Sequence, residues 1–173
     1  MLLNIIQIFS FIAVIICSLC KTKKNILIWV FIANLSNFAV MLLANETDGW
    51  AGSLATTLRA LLFLNKDRVK TNTLLYISIL LHVTAFAISY QDIYSCCILC
   101  ATLSVCISQW FGTPLQIKVF ALIGVLLWMI YTIHVGLYLD LPKRIVEGIF
   151  LLIAITKLKL DKRKQKESPL IDS

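Results

Sequence analysis

The sequence predicts an all-α integral membrane protein with seven transmembrane helices, built as two parallel three-helix repeats joined by a linker helix. The first observation is composition: of the 173 residues, 60% are hydrophobic and only 14% are charged. Soluble domains carry about a quarter charged residues, so this balance indicates a membrane protein. The second observation is that the charges cluster between long apolar blocks, and the third is that these blocks recur along the chain.

Seven apolar blocks are close to the length of a membrane span, which needs about 20 mostly apolar residues. The first block is interpreted as a retained span, because its lysines follow the apolar run and a secretory signal has them before it. The breaks between blocks are short, so consecutive spans are expected to pack antiparallel. The blocks cover residues 3–20, 26–44, 50–65, 72–90, 93–110, 115–136 and 143–160.

The basic residues predict an orientation with the N-terminus outside and the C-terminus inside, since cytoplasmic loops are rich in lysine and arginine. In this orientation 13 of the 16 basic residues lie inside. Six or eight spans would break that alternation. The C-terminal segment from Lys157 to Lys166 holds part of the inner set, and the inner loops hold Lys21, Lys23, Lys24, Lys66, Arg68, Lys70 and Lys118.

An internal repeat is expected because an offset that places Thr22 on Thr113 superimposes spans one to three on spans five to seven. Both triplets then start outside, and the fourth span is the linker that makes the repeats parallel, a layout known in small transporters. The predicted single domain is 1–160, followed by a basic cytoplasmic tail that can contact anionic lipid headgroups. Its parts are repeat one (3–65), the linker helix (72–90) and repeat two (93–160), with the tail at 161–173.

Two segments, WAGSLATTLRALLFL and LYLDLPKRIVEGIFLLIAITKLKLDKRK, resemble the bacterial inner-membrane family typified by YgjV. The resemblance depends mainly on Arg59 in a small-residue-rich third span and on Glu147–Gly148 in the last span. The chain departs from that pattern at Thr56 and Leu43, where an asparagine and a histidine are expected. The resemblance implies a multi-pass protein of the bacterial inner membrane. That family is similar in layout to SWEET and PQ-loop sugar carriers and to nicotinamide-riboside carriers.

Two charged residues fall further from the ends of the predicted spans than the basic residues counted with the loops and the tail, Arg59 in the third span and Glu147 in the seventh. A charge at the centre of a span costs roughly 2.5–3.5 kcal/mol, so such residues usually face the bundle interior and have a partner. We expect Arg59 and Glu147 to share a central cavity, as an ion pair or as opposite poles of a ligand site. The alternative is that Arg59 extends toward the inner headgroups along its aliphatic stem.

Uncharged polar residues extend this candidate site. Asn34 and Asn37 are three apart in span two and share a face, as Thr56 does with Arg59. These side chains either line the cavity or form interhelical hydrogen bonds. Trp128, in the middle of span six, either lines the cavity or packs against neighbouring helices.

Other residues have ordinary interpretations. Trp29 and Trp110 fall near the inner boundary, where amphipathic rings are favoured. His134 is expected at the outer interface, and His82 on the linker helix is the weakest site candidate.

Enzyme and nucleic-acid functions find no support in the sequence. Cys17–Cys20 and Cys97–Cys100 match C-x-x-C, but no histidine or carboxylate stands beside them at ligand spacing, so the thiols are interpreted as small apolar residues. No catalytic constellation, metal site or cofactor motif is recognised. Outside the spans, no basic surface with interleaved aromatic residues is left to bind nucleic acid.

Two functions are compatible with these features. The first is a carrier or facilitator that moves a small polar solute through a midplane cavity by rocking of one repeat against the other. The alternative is a membrane sensor or partner-binding regulatory protein that binds a ligand without moving it. A redox enzyme that uses the cysteines ranks third. The layout is compatible with one bundle or with a homo-oligomer of copies.

Overall fold

The computed structural model describes residues 2–43, 50–66, 72–90, 92–136, 138 and 141–167. Within these ranges the chain forms seven α-helices and no strand, which confirms the predicted helical class and helix count. The helices are α1 (Leu2–Leu19), α2 (Lys23–Leu43), α3 (Trp50–Leu64), α4 (Thr73–Ser89), α5 (Ser95–Phe111), α6 (Pro114–Val135) and α7 (Leu141–Glu167).

Helix length separates α6 from the shorter apolar helices. Among the described residues, only Pro114–His134 is long and apolar enough to cross a membrane by length and composition. Four apolar segments of 10–17 residues reach at most about 26 Å, against a hydrocarbon core of about 30 Å. Seven helices are therefore confirmed, while seven full spans stay a prediction. The shorter segments are Ile5–Leu19, Ala51–Leu64, Thr73–Ser89 and Ser95–Phe111.

The last helix differs from its predicted bounds at both ends. Helix α7 begins at Leu141, two residues before the predicted start at 143, and extends to Glu167, beyond the predicted end at 160. Lysine, arginine, glutamine and glutamate are good helix formers, so the helix continues where the apolar block ends. The first part of the predicted tail is therefore helical, and residues 168–173 lie outside the described part of the chain.

Side-chain contacts define two ends of the bundle. At the basic end, named for Lys21, Lys23 and Lys66, Lys21 Nζ lies 2.8 Å from Asp161 Oδ2 in α7. Lys23 and Lys66 both reach the C-terminus of α5 at this end. At the opposite end, Lys143 Nζ of α7 lies 3.5 Å from Asn37 Oδ1 of α2. Consecutive helices therefore alternate in direction, as the short breaks predict.

Each helix packs against the next one along the chain, and α7 packs back against α1. The seven helices thus close into a ring, with a further contact between α3 and α5. Large apolar side chains cover the outside of this ring, as expected for a surface in contact with lipid. Examples are Ile8, Phe9, Leu80, Ile88, Leu126 and Leu152.

Two apolar clusters fill the interior. Near the basic end, Phe63 and Trp110 pack with ring centroids 5.1 Å apart, and both are nearly inaccessible to solvent. Further along α3, Ala51 and Ala55 pack with Ala85 of α4. Small side chains allow these helix backbones to approach closely, as the small-residue stretch of α3 predicts.

The turn between α5 and α6 is built by short-range chemistry. Thr113 Oγ1 accepts a hydrogen bond from the Gln116 backbone N–H, while Gln116 Oε1 accepts one from the Thr113 backbone N–H at 2.8 Å, forming a capping box. Pro114 occupies the first turn of α6, where its missing N–H costs nothing. Immediately before this box, the Gly112 backbone N–H donates to the Ser108 carbonyl at 2.7 Å.

We expect Gly112→Ala to destabilise the protein, because the new Cβ would lie 2.3 Å from the Ser108 carbonyl oxygen. Overpacking of this kind costs about 1–3 kcal/mol. The matched control is Gly52→Ala in α3, where nothing lies within 4 Å of the added Cβ. Thermal unfolding of the purified protein is the measurement, and equal melting temperatures for the two variants would contradict the described turn.

Candidate functional site

Arg59 of α3 lies inside the bundle and is only 4% exposed. Its Nη1 donates to the Thr102 carbonyl of α5 at 3.3 Å and lies 3.4 Å from Nε2 of His82 in α4. The side chain therefore contacts two neighbouring helices. Because it is enclosed in this way, the Arg59 side chain does not extend to the surface of the bundle.

His82 is held in one tautomer by its second contact. Its Nδ1 lies 2.7 Å from the Ser78 carbonyl oxygen, and a carbonyl can only accept. Nδ1 therefore carries the proton, and Nε2 accepts the hydrogen bond from Arg59. Ser78 is itself fully buried, with its Oγ 3.3 Å from Cys106 Sγ. The site is thus a polar cluster of α3, α4 and α5 in which the imidazole is neutral and oriented.

The Arg59 guanidinium is incompletely satisfied in this cluster. Both of its hydrogen bonds come from Nη1, and its buried Nε has no partner among the described residues. No described carboxylate lies within ion-pair distance of it. Removing one partner of a buried polar group typically costs about 1–3 kcal/mol, more for a charged one, so an unused donor here is an uncommon arrangement.

Glu147 does not form the predicted direct ion pair with Arg59. Its Oε2 lies 3.2 Å from Arg144 Nη1, one turn earlier on α7, and both side chains are less than one-fifth exposed. The local cation prevails because residues three apart on a helix are neighbours. The Arg144 guanidinium also lies 4.9 Å from the Trp128 ring centroid, so Trp128 packs against a neighbour. The hypothesis that Arg59 and Glu147 are opposite poles of a ligand site stays a prediction.

The hydrogen bonds of the other predicted site residues do not involve Arg59. Asn37 Oδ1 accepts a hydrogen bond from Ser10 Oγ of α1 at 2.8 Å, an interhelical bond of the kind expected for a packing residue. Asn34 is half-buried on the same helix. Thr56 Oγ1 donates to the Ser53 carbonyl of its own helix at 2.9 Å. Only Arg59 of the predicted set therefore belongs to the polar cluster.

Lysines at the basic end bind helix C-termini. Lys23 and Lys66 donate to the Trp110 carbonyl at 2.9 and 2.6 Å, and Lys23 also donates to the Gly112 carbonyl at 3.2 Å. Lys118 donates to the Ser18 carbonyl at the end of α1. Helix C-termini carry unsatisfied carbonyls and partial negative charge, so each lysine stabilises the end it contacts.

These contacts correct two sequence predictions. Lys118 is not a loop residue: it lies in the second turn of α6 and is 2% exposed. Trp110 is at the basic end, but it is 3% exposed and packs within the protein instead of facing the lipid boundary. Trp29 is half-buried, and the loop residues Arg68 and Lys70 lie outside the described part of the chain.

At the opposite end, Asp92 precedes α5 and binds His134 at 2.9 Å. Loss of solvent raises the pKa of Asp92, but hydrogen bonds from the Ser95 backbone N–H and from His134 lower it more, so its pKa lies below the ordinary value. His134 also stacks on Tyr94, with ring centroids 3.7 Å apart. His134 lies in the last turn of α6 and is 41% exposed, and its place at the outer interface stays a prediction.

His82 is the site residue to which sequence reasoning gives too little weight. The signal that points to it is its place in an otherwise apolar helix, Thr73–Ser89, where an ionisable group suggests a functional role. For metals, the described part of the chain contains no group of three or more histidine, cysteine or acidic side chains that could hold an ion. All six cysteines are free thiols.

The ring of apolar helices around a buried polar cluster defines the chain as a multi-pass helical membrane protein. It belongs to the Imp-YgjV family, described as bacterial inner membrane protein, which matches residues 1–164. This match confirms the family resemblance and places the protein in the bacterial inner membrane. No curated protein matches the chain, and no solved structure does.

We expect His82→Leu to lower the stability by about 1–3 kcal/mol, because Arg59 loses an acceptor in a buried setting. Val83→Leu on the same helix is the matched control, since Val83 is 42% exposed and faces away from the cluster. The measurement is thermal unfolding in detergent. His82→Gln retains a side-chain acceptor, so its melting temperature should lie between those of His82→Leu and Val83→Leu. A loss no larger in His82→Leu than in the control would show that the Arg59 contact is unimportant.

Proposed function

We propose that this protein is a transporter or facilitator that passes a small polar solute through a midplane cavity between two three-helix repeats. The observation that carries the proposal is Arg59, a charged side chain buried among α3, α4 and α5 with an unused donor. Ionisable residues at membrane depth usually mark solute or ion pathways, because a merely structural role rarely offsets their cost. The bundle interior supplies polar groups where a solute would otherwise lose its water.

The two-repeat architecture is part of the proposal and has support from helix neighbours. Helices α1, α2 and α3 pack in sequence, as α5, α6 and α7 do, and α4 contacts both α3 and α5. This pattern is what two triplets joined by a linker helix require. The distribution of basic residues supports an orientation with the N-terminus outside and the C-terminus inside.

Reciprocal lysine contacts give further support to the repeats. Lys23 of α2 binds the C-terminus of α5, and Lys118 of α6 binds the C-terminus of α1. The second helix of each proposed triplet thus stabilises the first helix of the other. Such an exchange is expected where two similar halves meet around a common axis.

A second group of residues extends the proposed pathway toward the opposite end. Arg144, Glu147 and Trp128 are in mutual contact through the Arg144 side chain. Lys143 Nζ of α7 lies 3.5 Å from Asn37 Oδ1 of α2. We propose that these residues, with Asn34 and Thr56, contact the solute during passage. The proposal includes no chemical reaction.

The alternative function is a sensor or partner-binding protein, and the basic end favours it. There Lys21, Lys23, Lys66 and Lys118 connect one proposed triplet to the other. Rocking of the triplets requires these contacts to break, whereas a sensor can keep them. Anionic lipid at the basic end of α7 and a second copy of the chain are the proposed partners in either case.

Solute permeation into proteoliposomes tests the proposal. After an osmotic step with each member of a panel of small polar solutes, light scattering reports re-swelling as solute enters. We expect the wild type to accelerate re-swelling for at least one solute, and Arg59→Gln to slow that solute about tenfold or more, because a charged hydrogen bond contributes roughly 1.5–3 kcal/mol.

Arg163→Gln is the matched control, since Arg163 is exposed near the end of α7 and should not affect permeation. An equal loss in both variants would contradict the assignment of Arg59. If no solute enters faster than into empty liposomes although a solute stabilises the purified protein, the sensor function replaces the transporter.

A further inference from the structure

A plug of apolar side chains lies between Arg59 and the basic end of the bundle. Phe63 follows Arg59 by four residues on α3, about 6 Å closer to the basic end. The members of its cluster are between 0 and 6% exposed. We call this cluster the plug, and it consists of Leu27, Phe63, Leu75, Cys106 and Trp110. A polar solute beside Arg59 therefore meets packed apolar side chains on the way to the basic end.

Both proposed triplets, and the helix between them, contribute to the plug. Its members are Leu27 of α2, Phe63 of α3, Leu75 of α4, and Cys106 and Trp110 of α5. The Phe63 and Trp110 rings pack with centroids 5.1 Å apart, so they join the first triplet to the second. Separation of the triplets at this end of the bundle would therefore open the plug.

Two lysines of the first triplet hold the plug from the basic end. Lys23 Nζ of α2 donates to the Trp110 and Gly112 carbonyls at 2.9 and 3.2 Å. Lys66, which follows α3, donates to the same Trp110 carbonyl at 2.6 Å, and its Nζ lies 4.6 Å from the Trp110 ring centroid. Both cations thus bind the C-terminus of α5 in the second triplet, where partial negative charge attracts them.

A third lysine makes the connection between the triplets reciprocal. Lys118 of α6, in the second triplet, donates to the Ser18 carbonyl at the end of α1, in the first. Both residues are almost fully buried. A charged donor forms a strong hydrogen bond, and burial strengthens it further because water does not compete. Separation of the triplets at the basic end therefore requires all three lysines to release their carbonyls.

We propose that these three lysines form a lock, which keeps the plug closed and separates a solute at Arg59 from the basic end. This inference rests on the proposed function for its use, since it names the barrier that the carrier must open to release solute at that end. The lock itself is independent of transport. The structure is thus the state that is closed at the basic end, and the path opens when the lysines leave the helix C-termini.

The thiol of Cys106 reports whether the plug is open. Cys106 is a fully buried member of the plug, so a small polar reagent can reach its thiol only after the plug opens. The reporter protein keeps Cys106, and the other five of the six cysteines are replaced by alanine. The purified reporter protein in detergent is treated with iodoacetamide, which is small and uncharged, and mass spectrometry follows the rate of alkylation.

We expect Lys23→Met to speed alkylation of Cys106 about tenfold or more, because loss of charged hydrogen bonds shifts the equilibrium toward the open plug. Lys24→Met is the matched control, since Lys24 is the next residue and is exposed, and its rate should equal that of the reporter protein. Lys23→Arg keeps charged donors, so its rate should stay close to that value. Lys66→Met should also speed alkylation, and it decides the outcome if Lys23→Met does not fold.

A second reporter separates the lock from a merely structural role of the lysines. Ala55→Cys, in a chain whose native cysteines are replaced by alanine, places a thiol in the buried cluster with Ala51 and Ala85. Position 55 is eight residues from Phe63, about 12 Å along α3. Lys23→Met should leave the alkylation rate of this thiol unchanged. Equal acceleration at both reporters would indicate general loosening of the fold and would overturn the proposal.

Permeation measurements on the same proteins keep the lock distinct from the transporter. If the lock variants expose Cys106 selectively but no solute enters proteoliposomes of the wild type, the lock is supported and the transporter is refuted. If a solute enters in a manner that depends on Arg59, while Cys106 reacts at the same rate in Lys23→Met and Lys24→Met, the transporter is supported and the lock is refuted.

Discussion

The arrangement of the basic end depends on the contacts that Trp110 makes at the end of α5. Its carbonyl accepts hydrogen bonds from Lys23 of α2 and from Lys66, which follows α3, and Lys66 Nζ also lies 4.6 Å from the Trp110 ring centroid. The ring packs on Phe63 of α3, and its N–H donates to Asn72 before α4. One residue thus connects four helices, because a helix C-terminus attracts cations and an indole offers both an apolar face and a donor.

Deeper in the bundle the polar contacts are incomplete, because Arg59 is buried without a hydrogen-bond partner for every donor. A desolvated guanidinium is tolerated only if the surroundings fix it, and here a neutral His82 and a backbone carbonyl do so. A second buried polar atom, Gln109 Oε1 of α5, also has no hydrogen-bond partner among the described residues. The interior therefore consists of a tightly packed apolar part at the basic end and a polar part around Arg59 in which hydrogen bonding is incomplete.

Much of the fold is predictable from local features of the chain. Apolar blocks and their charged breaks predict seven helices in the right order, since the length and hydrophobicity of a segment act locally. The small residues of α3, Ala51 and Ala55 among them, favour close packing of that helix, and the structure shows that its partner there is Ala85 of α4. The extension of α7 to Glu167 is missed, because a hydropathy criterion ends a helix where polarity begins although helix propensity continues.

The candidate site shows where this local information ends. Arg59 is recognisable as a buried charge from the sequence alone, because a charge within an apolar block is costly wherever it faces. The partner of Arg59 is not recognisable from the sequence, because His82 is 23 residues away from it. Likewise, Lys118 binds a carbonyl that is 100 residues away in the chain. The sequence by itself determined the helices, their order and the presence of a polar interior. Only the tertiary structure decided which polar groups meet, because helix rotation and packing bring side chains from distant segments together. The same packing leaves Glu147 paired with Arg144 and not with Arg59.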